Sequence, residues 1–145
     1  MRVFFDASVI IAALLSTTGG SALLLKYIKA GKIIGITSQT AINEVLEEDK
    51  TKKLKKSKAE IENFIARSML AVREEITPEE IEPYRKRVDV EDAHLIAGAT
   101  LTKCAYLVSL DKKHLVREDV KRKFLPLKIV SPKELIEEIL LRFVV

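Results

Sequence analysis

Four acidic side chains carry the chemistry that this sequence can support. Asp6 and Asp111 each follow an apolar, strand-like run, whereas Glu44 and Asp92 lie in or beside predicted helices. Two carboxylates about 5 Å apart repel each other by about 3 kcal/mol at an effective dielectric constant near 20. A cluster of them therefore takes up protons or binds a cation. Oxygen donors without Cys or His at ligand spacing favour Mg²⁺ or Mn²⁺ over zinc, and a divalent ion with open coordination positions suits phosphodiester hydrolysis.

Asp6 lies between the run Val3-Phe4-Phe5 and the apolar segment 9–15. A strand that is apolar at every position is typical of one buried on both faces, as in a parallel sheet covered by helices. The carboxyl ends of the strands in such a sheet form the edge where ligands bind. The alternative is that Asp6 only caps the helix predicted over residues 7–15, since Asp is among the best N-cap residues.

Asp111 repeats this pattern after the apolar strand predicted over residues 106–110. Two parallel strands place their last residues at one edge of the sheet, so Asp6 and Asp111 are expected to be neighbours. The alternative is an Asp that forms a turn before Lys112. His114 follows close enough to approach the site, but it is not counted among the predicted ligands.

Glu44 borders the apolar stripe of a helix predicted from Thr37 or Ser38 to Glu48, which allows it to lie at the rim of the sheet. Glu48, one turn further on, competes for the same role. A solvated helix face would explain either acid.

Asp92 precedes the segment 93–101, which is apolar nearly all round and is therefore predicted to be a buried helix. Asp89 and Asp92 are spaced like a helix cap with an acid at its third residue. The helix dipole stabilises negative charge there by up to about 1 kcal/mol. His94 has no second ligand at metal-binding spacing, and it is interpreted as a packed or exposed side chain.

The densest positive charge of the sequence lies in residues 50–58. Four of its lysines are candidates for binding the phosphate backbone of a nucleic acid: Lys52, Lys53, Lys55 and Lys56. Such contacts would be blind to sequence and strongly dependent on salt. A solvated, mobile connection is the alternative. No aromatic residue interrupts the run, so it offers no surface for base stacking.

Length and composition indicate one ordinary domain over residues 1–145, because 48% hydrophobic residues suffice for a buried core. We expect no membrane span and no signal peptide, since no apolar run is long enough and the N-terminus has the wrong layout. The single cysteine, Cys104, cannot form an internal disulfide, which fits packing in a cytoplasmic protein. The net charge of +4 favours a polyanionic partner.

Alternating strand and helix patterns predict a three-layer α/β/α fold with a central parallel sheet of about five strands. Ser21 is a predicted cap for the second helix, and Thr77 with Glu80 forms a predicted capping box. The tail 140–145 exposes more apolar surface than a free end needs, which favours self-association or another partner.

The order and spacing of four short motifs resemble the PIN-domain family over nearly the whole chain. The motifs are Phe5-Asp6-Ala7-Ser8, Asn43-Glu44-Val45, Glu91-Asp92-Ala93 and Ser109-Leu110-Asp111. The resemblance implies a metal-dependent endoribonuclease that cuts single-stranded RNA. It implies that Asp6, Glu44, Asp92 and Asp111 bind Mg²⁺ or Mn²⁺.

The same resemblance implies supporting hydroxyls at Ser8 and Ser109, and Asp89 is counted with them as a supporting acid. Many relatives have an extra acid where this chain has Lys113. Both one and two bound ions are therefore left open as alternatives for the site. Many small members are VapC-type toxins, usually homodimers silenced by a small antitoxin, and the absence of an appended module favours that group. An RNA-processing nuclease and a non-catalytic RNA-binding or scaffolding module are the alternatives.

Two other phosphate-handling classes fit the sequence less well. A response-regulator receiver requires paired acids after the first strand, and here Ala7 and Ser8 follow Asp6. A haloacid-dehalogenase-like phosphatase requires an acid at the position of Ser8.

Overall fold

A parallel β-sheet lies at the centre of residues 1–143, which are the residues that this computed structural model describes. Five strands are found in this range: β1 Arg2–Phe5, β2 Ile34–Ser38, β3 Ala71–Arg73, β4 Tyr106–Val108 and β5 Lys128–Val130. Their order across the sheet is β3-β2-β1-β4-β5, and all neighbouring pairs are parallel. The predicted sheet is therefore confirmed.

Helices follow the strands along the chain. They are α1 Ala7–Leu15, α2 Gly20–Lys29, α3 Gln39–Val45, α4 Glu48–Leu54, α5 Lys58–Arg67, α6 Pro78–Ile81, α7 Ala93–Leu101, α8 Glu118–Lys123 and α9 Pro132–Phe143, with a 3₁₀ turn at Glu82–Tyr84. The bounds of α1 and α7 agree with the sequence prediction.

Apolar side chains cover both faces of the sheet. Val3 and Phe5 pack with α1, α2, α5 and α9 on one face, whereas Phe4 packs with α7 and α8 on the other. This division follows from the strand period of two, which turns successive side chains to opposite faces. The three-layer α/β/α architecture predicted from the sequence is thus confirmed.

Helix α7 approaches the sheet closely at Gly98. A Cβ atom added there would lie 2.6 Å from Cζ and 2.9 Å from Cε2 of the fully buried Phe4. No side chain fits at this position without displacing the aromatic ring. The missing side chain therefore lets α7 pack directly on β1.

Several local predictions are confirmed. The Ser38 hydroxyl accepts a hydrogen bond from the backbone N–H of Ala41 and caps α3. Thr77 and Glu80 form the expected capping box at the start of α6. Cys104 is buried, in contact with the Thr102 hydroxyl at 3.2 Å.

Two predicted helix boundaries are wrong. Helix α2 begins at Gly20 with Gly19 at the cap position, so Ser21 is buried inside the first turn. The helix expected to run to Glu48 ends at Val45, and Glu48 begins α4 instead. The first part of the lysine-rich segment is therefore helical. Helix α4 packs on the core through the buried Leu54.

The end of α9 carries exposed apolar side chains, with Leu140, Leu141 and Phe143 exposed at 48%, 77% and 55%. Val144 and Val145, the rest of the tail predicted to self-associate, lie outside the described residues. No single helix within residues 1–143 is long and apolar enough to cross a membrane. Helices α1 and α2 reach that length and composition only together, as a pair bent by 100°.

Candidate metal centre

The strand order reverses between β1 and β4, because the chain builds β2 and β3 on one side of β1 and then returns to the other side. The backbone N–H of Asp6 donates to the carbonyl of Val108 at 3.1 Å, and that of Ser109 donates to the carbonyl of Val130 at 3.0 Å. Asp6 and Ser109 are thus neighbours at the carboxyl edge. Open α/β sheets bind ligands at this kind of reversal point.

The Asp6 side chain is buried, with only 7% of the residue exposed, and two hydroxyls hold it in place. Its Oδ2 accepts hydrogen bonds from Ser8 Oγ at 2.8 Å and from Ser109 Oγ at 2.7 Å. Asp6 occupies the N-cap position of α1 but makes no side-chain capping bond. Its carboxylate is therefore committed to the sheet edge and does not cap the helix.

Each of these two serines also accepts a backbone N–H from the loop that follows β4. Ser8 Oγ accepts from Leu110 at 3.1 Å, and Ser109 Oγ accepts from Asp111 at 3.0 Å. The hydroxyls thus connect the start of α1 to residues 109–111, and they fix the position of Asp111 relative to Asp6.

Asp111 combines the predicted turn with a place in the acidic cluster. Its Oδ1 accepts the backbone N–H groups of Lys113 at 3.1 Å and His114 at 3.0 Å, while Oδ2 lies 3.3 Å from His114 Nδ1. One ligand atom each from Asp92, Asp111 and His114 lie within 4.8 Å of one another. The Asp111 carboxylate therefore forms the predicted turn and also lies close to Asp92 and His114.

The carboxyl group of Asp92 has a strongly raised pKa. Its pKa is raised from 3.8 to about 7, first by burial and then by the nearby carboxylates of Asp111, Asp6 and Asp89, whereas His114 lowers it. Burial also raises the pKa of Asp6, opposed by the Ser109 and Ser8 hydrogen bonds. These carboxylates thus repel one another at neutral pH, and a cation would relieve that repulsion.

Glu44 lies beside a buried histidine, His94. Its Oε1 is 2.7 Å from Nε2 of His94, although the pair is not aligned as a hydrogen bond. His94 is 7% exposed, and neither ring nitrogen has an aligned partner within the described residues. The Glu44 carboxylate raises the pKa of Asp6, so it is close to that acid, but it is not in the group with Asp92 and Asp111.

Asp89 does not cap α7, contrary to the sequence prediction, because the helix begins at Ala93 and Asp92 occupies the cap position. Asp89 Oδ1 accepts the backbone N–H of Glu91 at 3.0 Å instead. Its Oδ2 lies 3.8 Å from Nε2 of His114 at the edge of the cluster.

Sequence reasoning left both histidines out of the site, and the structure places both beside predicted acids. The spacing of Asp111 and His114 could have predicted that the two side chains are close. An Asp at the start of a turn often accepts a hydrogen bond from a backbone N–H two or three residues later, which brings that residue near. The contact between His94 and Glu44 joins two distant segments and leaves no local signal.

The candidate RNA-binding lysines lie on and just after α4. Lys52 pairs with Glu48 at 3.2 Å, Lys53 and Lys55 are exposed, and Lys56 is partly buried. Because exposed ion pairs are weak, the pair with Glu48 leaves Lys52 free to exchange partners.

The donor set fits a divalent cation. Asp6, Asp92 and Asp111 bring carboxylates from three separate segments, and burial together with the charge of the neighbouring carboxylates raises the pKa of Asp92. Hard oxygen donors of this kind suit Mg²⁺ and Mn²⁺.

Comparisons with known proteins agree with this architecture. A family model described as "PIN domain" matches residues 2–113. The structure is similar to VapBC2 from Rickettsia felis, solved bound to a DNA fragment from its promoter, at 12% identity and a TM-score of 0.59, covering 90% of this chain and 98% of that one. It is also similar to the sarcin-ricin loop cleaving toxin VapC20 from Mycobacterium tuberculosis, at 14% identity and a TM-score of 0.52, covering 77% and 91%. No curated protein sequence matches.

Proposed function

Because this chain belongs to the PIN-domain family, we propose that it is a metal-dependent endoribonuclease that hydrolyses phosphodiester bonds of single-stranded RNA. The observation that carries the proposal is the meeting of Asp92 and Asp111 near the buried Asp6 at the reversal point of the sheet. Such a cluster is costly without a cation, and a fold that needed only a surface for RNA would not require it.

In this proposal Asp6, Glu44, Asp92 and Asp111 bind Mg²⁺ or Mn²⁺. When bound, such an ion activates water and neutralises charge on the scissile phosphate. Ser8 and Ser109 hold Asp6 Oδ2 by donating to it, and they favour its ionised form. The turn formed by Asp111 Oδ1 keeps that side chain in place, which reduces the reorganisation needed when substrate arrives.

The test is cleavage of an end-labelled single-stranded RNA in Mg²⁺ or Mn²⁺, with and without chelator. Asp6→Asn and Asp92→Asn should each lower the rate about 100-fold or more, because they remove charge from the site. Asp49→Asn is the matched control, since the Asp49 side chain is 73% exposed and pairs only with Lys50 among the described residues. Circular dichroism should show all three variants folded. Cleavage by Asp92→Asn at the wild-type rate would remove the site from the mechanism.

The proposal extends to the toxin of a toxin–antitoxin pair that acts in the cytoplasm as a homodimer. The fold shared with VapBC2 and VapC20 supports this class, and the exposed Leu140, Leu141 and Phe143 support self-association. Controlled expression in a bacterial host should arrest growth for the wild type but not for Asp6→Asn. Normal growth with an active nuclease would favour RNA processing instead.

A further inference from the structure

His114 reaches the acidic cluster although it lies beyond the strand-end acids. The turn capped by Asp111 Oδ1 folds the chain back, so that the imidazole approaches the second oxygen of the same carboxylate. One of its ring nitrogens is within 4.8 Å of ligand oxygens on both Asp92 and Asp111. Backbone geometry thus places the histidine where an ion would be bound.

Neither ring nitrogen is taken up by a short bond. Nδ1 lies 3.3 Å from Asp111 Oδ2, and Nε2 lies 3.8 Å from Asp89 Oδ2. Charge-assisted N–H···O bonds are usually about 2.7–2.9 Å long. The imidazole is therefore loosely paired, and 43% of its side chain is exposed, which leaves it free to move toward a ligand.

The spacing of the three donor atoms is close to that of one coordination shell. Ligands 2.1 Å from an ion are about 3 Å apart when adjacent and about 4.2 Å apart when opposite. The three donor atoms lie within 4.8 Å of one another, so a side-chain movement of about 1 Å is enough to bring them around a single ion.

We propose that His114 supplies a nitrogen ligand to the ion bound by Asp92 and Asp111, and that the site therefore prefers Mn²⁺ to Mg²⁺. This inference rests on the proposed function, because it assumes that the acidic cluster binds a divalent ion. Imidazole nitrogen binds first-row transition metals well, whereas Mg²⁺ is bound by oxygen ligands. Carboxylate ligands alone suit both ions.

The first measurement is titration calorimetry of the whole protein with MnCl₂ or MgCl₂, without RNA. His114→Ala should weaken Mn²⁺ binding about tenfold or more and change Mg²⁺ binding less than about threefold. Lys112→Ala is the control, because this exposed side chain lies on the same turn and its removal should leave the ratio of the two affinities unchanged.

The second measurement is pulsed electron paramagnetic resonance of the Mn²⁺-loaded protein. A nitrogen coupling should be present in the wild type and in Lys112→Ala and lost in His114→Ala. The chain has only one other histidine, His94, so a coupling that survives in His114→Ala would overturn the assignment.

Equal weakening of Mg²⁺ and Mn²⁺ in His114→Ala would also overturn the inference, since it would mean that the histidine acts only by orienting Asp111. Wild-type protein that cleaves RNA with metal but shows no nitrogen coupling would refute the inference and leave the proposed function intact. Wild-type protein that binds neither ion would refute both.

Discussion

Replacing Asp92 by Asn should stabilise the metal-free protein at alkaline pH. Asp92 is partly buried beside other carboxylates, and its pKa is raised from 3.8 to about 7. A carboxyl group whose pKa is higher in the folded state contributes stability that is fully present below about pH 4 and lost as the pH rises through about 7. Asn carries no charge at any of these pH values, so the variant avoids this loss.

The size of the effect follows from the difference in pKa between the folded and unfolded states. About three units correspond to about 4 kcal/mol at most. Because Asp92 is only partly buried, solvent screening reduces this to about 1–2 kcal/mol. For a chain of this length the melting temperature should rise by about 3–6 °C at pH 8. The gain should shrink toward zero as the pH falls to 4.

Urea unfolding in EDTA at pH 5 and pH 8 measures this difference directly, with Asp49→Asn as the control expected to change little at either pH. Added Mn²⁺ should reverse the ranking at pH 8, because the ion stabilises only a site that binds it. If Asp92→Asn is less stable than the wild type at pH 8 without metal, the reasoning about the buried carboxylate is wrong.

Two further variants test the surroundings of the site. Replacing all four candidate lysines of the α4 region by Ala should lower the slope of RNA affinity against salt by up to about 3 on logarithmic axes, as expected for four lost phosphate contacts. Its control replaces four exposed lysines elsewhere, Lys29, Lys86, Lys103 and Lys133. An equal change in the control would assign the effect to net charge alone. Ser109→Ala should lower the free energy of unfolding by about 1–3 kcal/mol, because the buried Asp6 carboxylate loses a donor and the Asp111 N–H loses its acceptor. A change below about 0.5 kcal/mol in urea unfolding would mean that water replaces the hydroxyl without cost.

Most of the fold could be predicted because its signals are local. The fully apolar run at β1 and the nearly all-apolar α7 leave burial as their only physical option, and their bounds were predicted well. The apolar stripe continues through Leu46 and gives no sign of the break between α3 and α4, which appears only in the backbone at Leu46 and Glu47. The dense positive charge of residues 50–58 does not indicate a helix. Ion pairs such as Lys52 with Glu48 reduce the charge repulsion within α4.

The residues of the candidate site also differ in how far the local sequence predicts their positions. Parallel strands must end at one edge, so the sequence predicts that Asp6 and Asp111 lie at the same edge. The structure adds that β1 and β4 are neighbours there. The position of Glu44 beside His94 depends on how α3 and α7 pack across the sheet, and no pattern within either helix encodes that contact. His114 falls between these cases, because a local turn brings it to Asp111 and only the packing of Asp92 against that turn completes the group.

Gly98, which has no side chain, links the positions of residues that are far apart along the chain. Phe4 lies two residues before Asp6, and Gly98 belongs to the helix that begins after Asp92, so the close approach of ring and helix also affects the distance between those two acids. A protein with a larger residue at position 98 would need a smaller residue at position 4, because the two side chains would occupy the same space. Residues 4 and 98 should therefore covary among proteins that descend from a common ancestor.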